Sequence, residues 1–158
     1  MDDRNNTIRK TLIAGALAIG TGMLVPTVAF AVDTVVSKDA PDLTVARAKI
    51  KAKDFAGAIA ELTPLLATQH ADIYNLMGFS LRKSGDLKQA ATFYAKALDF
   101  NADHRGALEY QGEMFVELGQ IDKAKVNLAK LMTLCPQGCE EREDLTKAIA
   151  AAPPARTN

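Results

Sequence analysis

The chain has 158 residues, 48% of them hydrophobic and 24% charged, with few aromatics and no tryptophan. That length suits one modest domain. Nineteen Lys and Arg balance nineteen Asp and Glu, and a formal charge of zero removes the basic footprint expected of a nucleic-acid-binding protein.

Residues 1–31 stand apart from the rest. Arg4, Arg9 and Lys10 precede an uncharged stretch, residues 11–25, rich in Leu, Ile, Ala and Gly, and Ala29-Phe30-Ala31 follows with small residues at the two cleavage-defining positions. This pattern reads as a secretory signal peptide cut after Ala31. The alternative is an uncleaved anchor, but the apolar run is shorter than the roughly 20 residues that span a bilayer, and Pro26 ends it. A mature, nearly neutral protein would begin at Val32, periplasmic or secreted from a bacterium. Residues 32–41 are polar and aperiodic, as in a flexible leader.

Helical periodicity begins at residues 42–52, with Leu43, Val45, Ala46 and Ile50 as apolar positions. Lys53-Asp54 makes a short turn. Residues 55–67 form a second helix with Ala58, Leu62 and Leu65 inward and a kink at Pro64. The next helix starts at Ala71 and closes at Gly85, which can take the left-handed conformation, and Asp86 caps its successor. Ala90, Tyr94 and Ala97 line that helix's inner face. A further pair follows, from Arg105 to Gly119 and then with Ala124, Leu128 and Leu131 inward, ending before Pro136. Residues 139–151 make a last helix with Leu145 and Ile149 inward and Glu140, Glu141, Glu143 and Asp144 outward, the polar cap that a stacked array needs for solubility. Residues 152–158 contain Pro153-Pro154 and read as a disordered tail.

A 34-residue offset superimposes Gly78 on Gly112, Gly85 on Gly119 and Ala90 on Ala124. Tyr74, Met77, Gly78 and Leu81 align with Leu108, Gln111, Gly112 and Phe115. Small residues recur where a side chain would hold two helices apart, and a period of this size marks stacked helical hairpins. The pattern resembles the tetratricopeptide repeat family. One repeat supplies Tyr74, Met77, Gly78, Leu81, Gly85, Ala90, Tyr94 and Ala97, with Ala102 where proline is usual. The next supplies Leu108, Gln111, Gly112, Phe115, Gly119, Ala124, Leu128, Leu131 and Pro136, of which Gln111 and Leu131 depart from the family's choices, a change expected to loosen helix packing locally. The resemblance implies an all-α, right-handed helical solenoid of three hairpins (about 42–70, 71–104 and 105–138, the first two residues short) plus a C-terminal capping helix.

It also implies a non-enzymatic module that binds a protein or peptide in its concave groove. First helices line that groove in the family. By alignment they present Asp72, Asn75, Phe79, Arg82 and Lys83 from the second repeat, Glu109, Glu113, Val116 and Glu117 from the third, and Arg47, Ile50 and Lys51 from the first. Basic residues crowd the front, and Glu109, Glu113 and Glu117 share one helix face. Like charges at that spacing cost about 0.2–0.5 kcal/mol per pair, offset by solvent, by Arg82 and Lys83, or by a guest. On this reading, reversing Glu113 and Glu117 weakens partner capture without unfolding the array.

Cys135 and Cys139 are the only cysteines and flank Pro-Gln-Gly. In an oxidising compartment they suit a disulfide. A redox pair, or a soft-metal site with Met132, is the alternative, which would make the chain a thiol- or copper-handling envelope protein. His70 and His104 lie in the loops between repeats. No orienting partner or nucleophile accompanies them, and no phosphate loop or metal motif is present, so neither an enzyme nor a cofactor is expected. Head-to-tail self-association through the charge polarity is a further possibility.

Overall fold

A computed structural model of the chain describes residues 40–153. The expected signal peptide, the leader up to residue 39 and the tail beyond residue 153 lie outside the described residues. Those described fold into seven α-helices: α1 (Thr44–Lys51), α2 (Phe55–Leu62), α3 (Ala71–Lys83), α4 (Leu87–Phe100), α5 (Arg105–Glu117), α6 (Ile121–Leu134) and α7 (Glu140–Ala150). A 3₁₀ segment, Thr63–Thr68, follows α2. There is no strand among the described residues, and no helix there is long and apolar enough to cross a membrane.

The turns inside the helix pairs repeat one device. Lys53, Gly85 and Gly119 all take positive φ, at 61°, 91° and 71°. The next residue's N–H reaches back to close each first helix: Asp54 to Lys49 O at 2.9 Å, Asp86 to Leu81 O at 2.9 Å, Gln120 to Phe115 O at 2.7 Å. This is the glycine-closed helix end in which the outgoing chain satisfies the last orphan carbonyls. Glycine enters the left-handed region at little cost, whereas Lys53 bears it with a Cβ. Asp54 and Asp86 then cap the following helices by accepting from Gly57 N and Gln89 N, both at 2.9 Å.

The helices pair as α1 with α2, α3 with α4 and α5 with α6, and α7 packs on both α5 and α6. First helices also touch one another, α1 on α3, α3 on α5 and α5 on α7, while α2, α4 and α6 do not. A row in mutual contact with an outer row splayed apart makes the first-helix side the concave one. Ala58, Ala90 and Ala124 are fully buried, as are Tyr94, Ala97, Leu131 and Leu145. A Cβ on Gly78 would lie 2.8 Å from the Tyr94 ring, and one on Gly112 would lie 2.6 Å from Leu145. The first glycine thus admits the partner helix within its own pair. The second admits α7.

Four local expectations are corrected. The second helix does not run kinked to residue 67: α2 stops at Leu62 and a 3₁₀ turn with proline in its first positions takes over. Pro64 has no N–H to extend an α-helical ladder. Val45 is 53% exposed and takes no part in the core, which Leu43 and Ala46 enter instead. Gln111 ties rather than interrupts: its Oε1 accepts from Asn127 Nδ2 at 3.0 Å, and Asn127 also donates to Leu108 O at 3.0 Å. Lastly, α7 turns part of its acidic face inward, toward the site described next.

Candidate functional site

Three adjoining clefts run along the first-helix row. The front one, about 220 Å³, is lined by Arg47, Ile50 and Lys51 of α1, Leu76 and Phe79 of α3 and Tyr110 of α5. Its floor is aromatic: Phe79 tilts against Tyr110 with ring centroids 4.8 Å apart, and Phe55 meets the other edge of Phe79 at 6.3 Å. Lys83 is exposed and holds its ammonium 5.4 Å from the Phe79 ring centroid. The middle cleft, about 330 Å³, lies between α3, α5 and α7, with Asp72, Asn75, Glu109, Glu141 and Asp144 among its walls. The third, about 720 Å³, has Arg82, Glu113, Val116 and Glu117 on one side and Ala148, Ala151 and Pro153 on the other.

Arg82 is the electrostatic anchor of the row. Its side chain is 4% exposed, and it donates to Glu113 Oε2 at 2.7 Å and to Glu117 Oε1 at 2.6 Å. Burial opposes its charge, but the hydrogen bonds to Glu117 and Glu113 outweigh that opposition and raise its pKa above the ordinary arginine value. The like charges of Glu113 and Glu117 are therefore offset from inside the array, across the α3–α5 contact. Reversing both would leave Arg82 buried opposite two cations, a change that costs several kcal/mol where a buried partner is lost, on the order of 3–5. The expected variant thus does not spare the fold and cannot report on capture alone.

Both histidines are helix caps. His70 accepts from Asp72 N at 3.2 Å and His104 from Ala107 N at 3.1 Å. Because His104 Nδ1 accepts, its Nε2 carries the proton and donates to Asp72 Oδ1 at 2.7 Å. Asp72 also stands 3.8 Å from Arg47. It consequently links α1, α3 and the start of α5 and is only half free to meet a guest.

Glu109 and Asn75 differ from these. Glu109 is 8% exposed and Asn75 6%. Among the described residues the Glu109 carboxylate forms no ion pair with any cation, and the Asn75 Oδ1 is buried without a hydrogen-bond partner. Desolvation comes first, then the charges of Glu113, Asp144, Glu141 and Glu140, and together they push the Glu109 pKa up to about 8. Burial also raises the pKa of Tyr110, beside it.

The alignment therefore brings Asp72, Asn75, Phe79, Arg82, Glu109, Glu113, Val116 and Glu117 onto the walls of one concave face, with Lys83 at its edge. It missed Tyr110, His104 and the acidic residues of α7. Reading α7 as the first helix of a further, unpaired hairpin exposes the signal: the residues preceding α3, α5 and α7 are His70, His104 and Cys139, spaced 34 and 35 apart. That register sets Asp144 beside Glu109.

A disulfide joins Cys135 and Cys139, with the Cα atoms 6.0 Å apart. Arg142 strengthens the same junction by donating to Cys135 O at 3.0 Å and Pro136 O at 3.1 Å, closing the end of α6. Met132 is 53% exposed on α6, and sulfurs joined in a bond offer no thiolate to a soft metal. Among the described residues no three His, Cys, Asp or Glu side chains converge as a metal site.

The family model described as tetratricopeptide repeat matches residues 71–104, the stretch from α3 through α4 to the His104 cap. No curated protein matches the sequence.

Proposed function

We propose that this chain, which belongs to the tetratricopeptide repeat family, works in the bacterial envelope by holding an extended segment of a partner protein along its concave face, without turning it over. Repeats of this family build protein–protein interaction modules, and the proposal adds the mode and the place. The observation that carries it is the row of clefts on α1, α3, α5 and α7, aromatic in front and acidic behind, the first two sharing Arg47, Leu76 and Tyr110. Phe79 and Tyr110 supply desolvated contact area, the kind of rigid surface that dominates binding energy at interfaces. Arg47 and Lys51 at one end and the α7 acids at the other give a guest a direction. A location outside the reducing cytosol accords with the Cys135–Cys139 bond and with the secretion pattern of residues 1–31.

Site-specific photocrosslinking in living cells tests this. A benzoylphenylalanine at position 79 should give a discrete adduct in the envelope fraction. The same residue at position 126, where Val126 is 69% exposed on the outer helix α6, should not. Equal adducts from both positions, or none from position 79, would refute groove binding. Fractionation that finds the protein in the cytosol would refute the location.

A further inference from the structure

We infer that the cleft between α3, α5 and α7 is a specificity pocket for a single arginine side chain of the bound segment. The inference deepens the groove reading and rests on it. The pocket's base is built from two groups that lack protein partners. Glu109 offers a carboxylate with no cation opposite among the described residues, and Asn75 stands in the same wall with its carbonyl oxygen closed off and unpaired. A largely buried carboxylate without a cation is costly, and a cation brought by a guest would relieve that cost. Both groups line the same cleft.

The cations nearby pair with other acids, including Arg47, which itself lines the cleft. Arg47 is 56% exposed and reaches only Asp72, Arg105 is 50% exposed and reaches Glu141 at 3.5 Å, and Lys147 pairs with Asp144 on the solvent side. None of them enters to meet Glu109. Among the described residues Glu109 is the buried acid left without a cation, whereas next door Arg82 meets both Glu113 and Glu117.

Shape and chemistry then choose the guest. A volume of about 330 Å³ sits at the low end of the roughly 300–1,000 Å³ that encloses a small ligand, so it suits one long side chain rather than a whole molecule. A guanidinium is planar and carries five donors in a fixed fork, two of which can meet both oxygens of the Glu109 carboxylate. An ammonium is a more strongly hydrated point charge and forfeits more on entering a dry cleft. Tyr110 borders the cleft and presents an aromatic surface on which a guanidinium packs. The neighbouring front cleft, with Ile50, Leu76 and Phe79, takes an apolar residue of the same segment. The recognised feature is thus an arginine beside an apolar side chain.

The test uses four fluorescein-labelled pentapeptides, Ala-Leu-Xaa-Leu-Ala, with arginine, lysine, citrulline or glutamate at the centre, followed by fluorescence anisotropy at a pH of about 8.5, where an unpaired carboxyl at this position is ionised. Citrulline keeps the outline of arginine and lacks its charge. The arginine peptide should bind about tenfold more tightly than the citrulline peptide, with lysine between them and glutamate weakest. Glu109→Gln should bring the arginine-to-citrulline ratio close to one. Four peptides of equal affinity would overturn the pocket and leave the groove standing. No binding by any of them up to about 1 mM would overturn both. Spermidine binding tightly where the arginine peptide does not would also overturn the inference, in favour of a free polyamine. Because citrulline changes the guest and not the protein, the comparison holds even if the Glu109 variant folds poorly.

Discussion

Glu109→Gln removes one proton-binding site and keeps the shape of the side chain. In the native state the group's pKa is pushed from an ordinary 4.5 up to about 8, chiefly by burial and then by Glu113 and the α7 acids. The unfolded chain restores the ordinary value. Between those two values the folded protein holds a proton that the unfolded protein has released, so stability falls as pH rises through the window, and the loss is complete above it. Each pH unit of the gap corresponds to about 1.4 kcal/mol, which sets a ceiling near ~5 kcal/mol. The cleft stays open to solvent on one side, which raises the effective dielectric and brings the expectation to ~2–4 kcal/mol. Wild type and variant should therefore nearly coincide at a pH of about 4.5 and separate by that amount at about 8.5, the glutamine form being the more stable. Urea unfolding at fixed pH, followed by far-ultraviolet circular dichroism, gives both free energies. A difference that does not change with pH would refute the assignment of an unpaired, desolvated carboxyl. A wild type that gains stability with pH relative to the variant would reverse it.

Arg82→Met should cost ~2–4 kcal/mol, because it strands two carboxylates four residues apart, and thermal unfolding should show it as a markedly lower midpoint. Glu117→Gln, at a position 44% exposed, should cost no more than about 1 kcal/mol in the same assay. Gly78→Ala should destabilise by about 1–3 kcal/mol, since its methyl group meets the fully buried Tyr94 ring. Gly112→Ala should cost less, because Leu145 can change rotamer, and denaturant midpoints would rank the two. Cys139→Ser should lower stability by about 2 kcal/mol, the value for so short a closed loop, and reduction of the wild type with a thiol should give the same shift.

The stacked architecture was legible because its determinants are local and periodic. Gly85 and Gly119 announce helix ends, Asp54 and Asp86 announce starts, and Ala58, Ala90 and Ala124 mark the close contacts. The degenerate front was legible too, since Lys53 occupies the position held elsewhere by glycine. The site was only half legible. Alignment put Asn75, Arg82, Glu109, Glu113 and Glu117 on one face, but their roles depend on contacts across helices. Nothing in the spacing told that Arg82 faces Glu113 and Glu117 while Glu109 faces none. The α7 acids were misplaced because an outward polar face is what a terminal helix ordinarily needs. His104 read as a loop residue, solvated or capping, and its link to Asp72 was hidden because that carboxylate lies 32 residues away.

The two ends of the array are anchored unequally. The last helix is tied to its neighbour by a covalent bond and by the Arg142 clasp. At the other end, α1 and α2 are eight residues each, with a left-handed lysine between them. In a linear stack each unit is held only by the next, so opening should start at the α1 end and travel one way. Amide hydrogen exchange would show this as a gradient of protection, fastest at the front and slowest near α5 and α6. A protein built this way would loosen its basic doorway while the acidic chamber behind keeps its form.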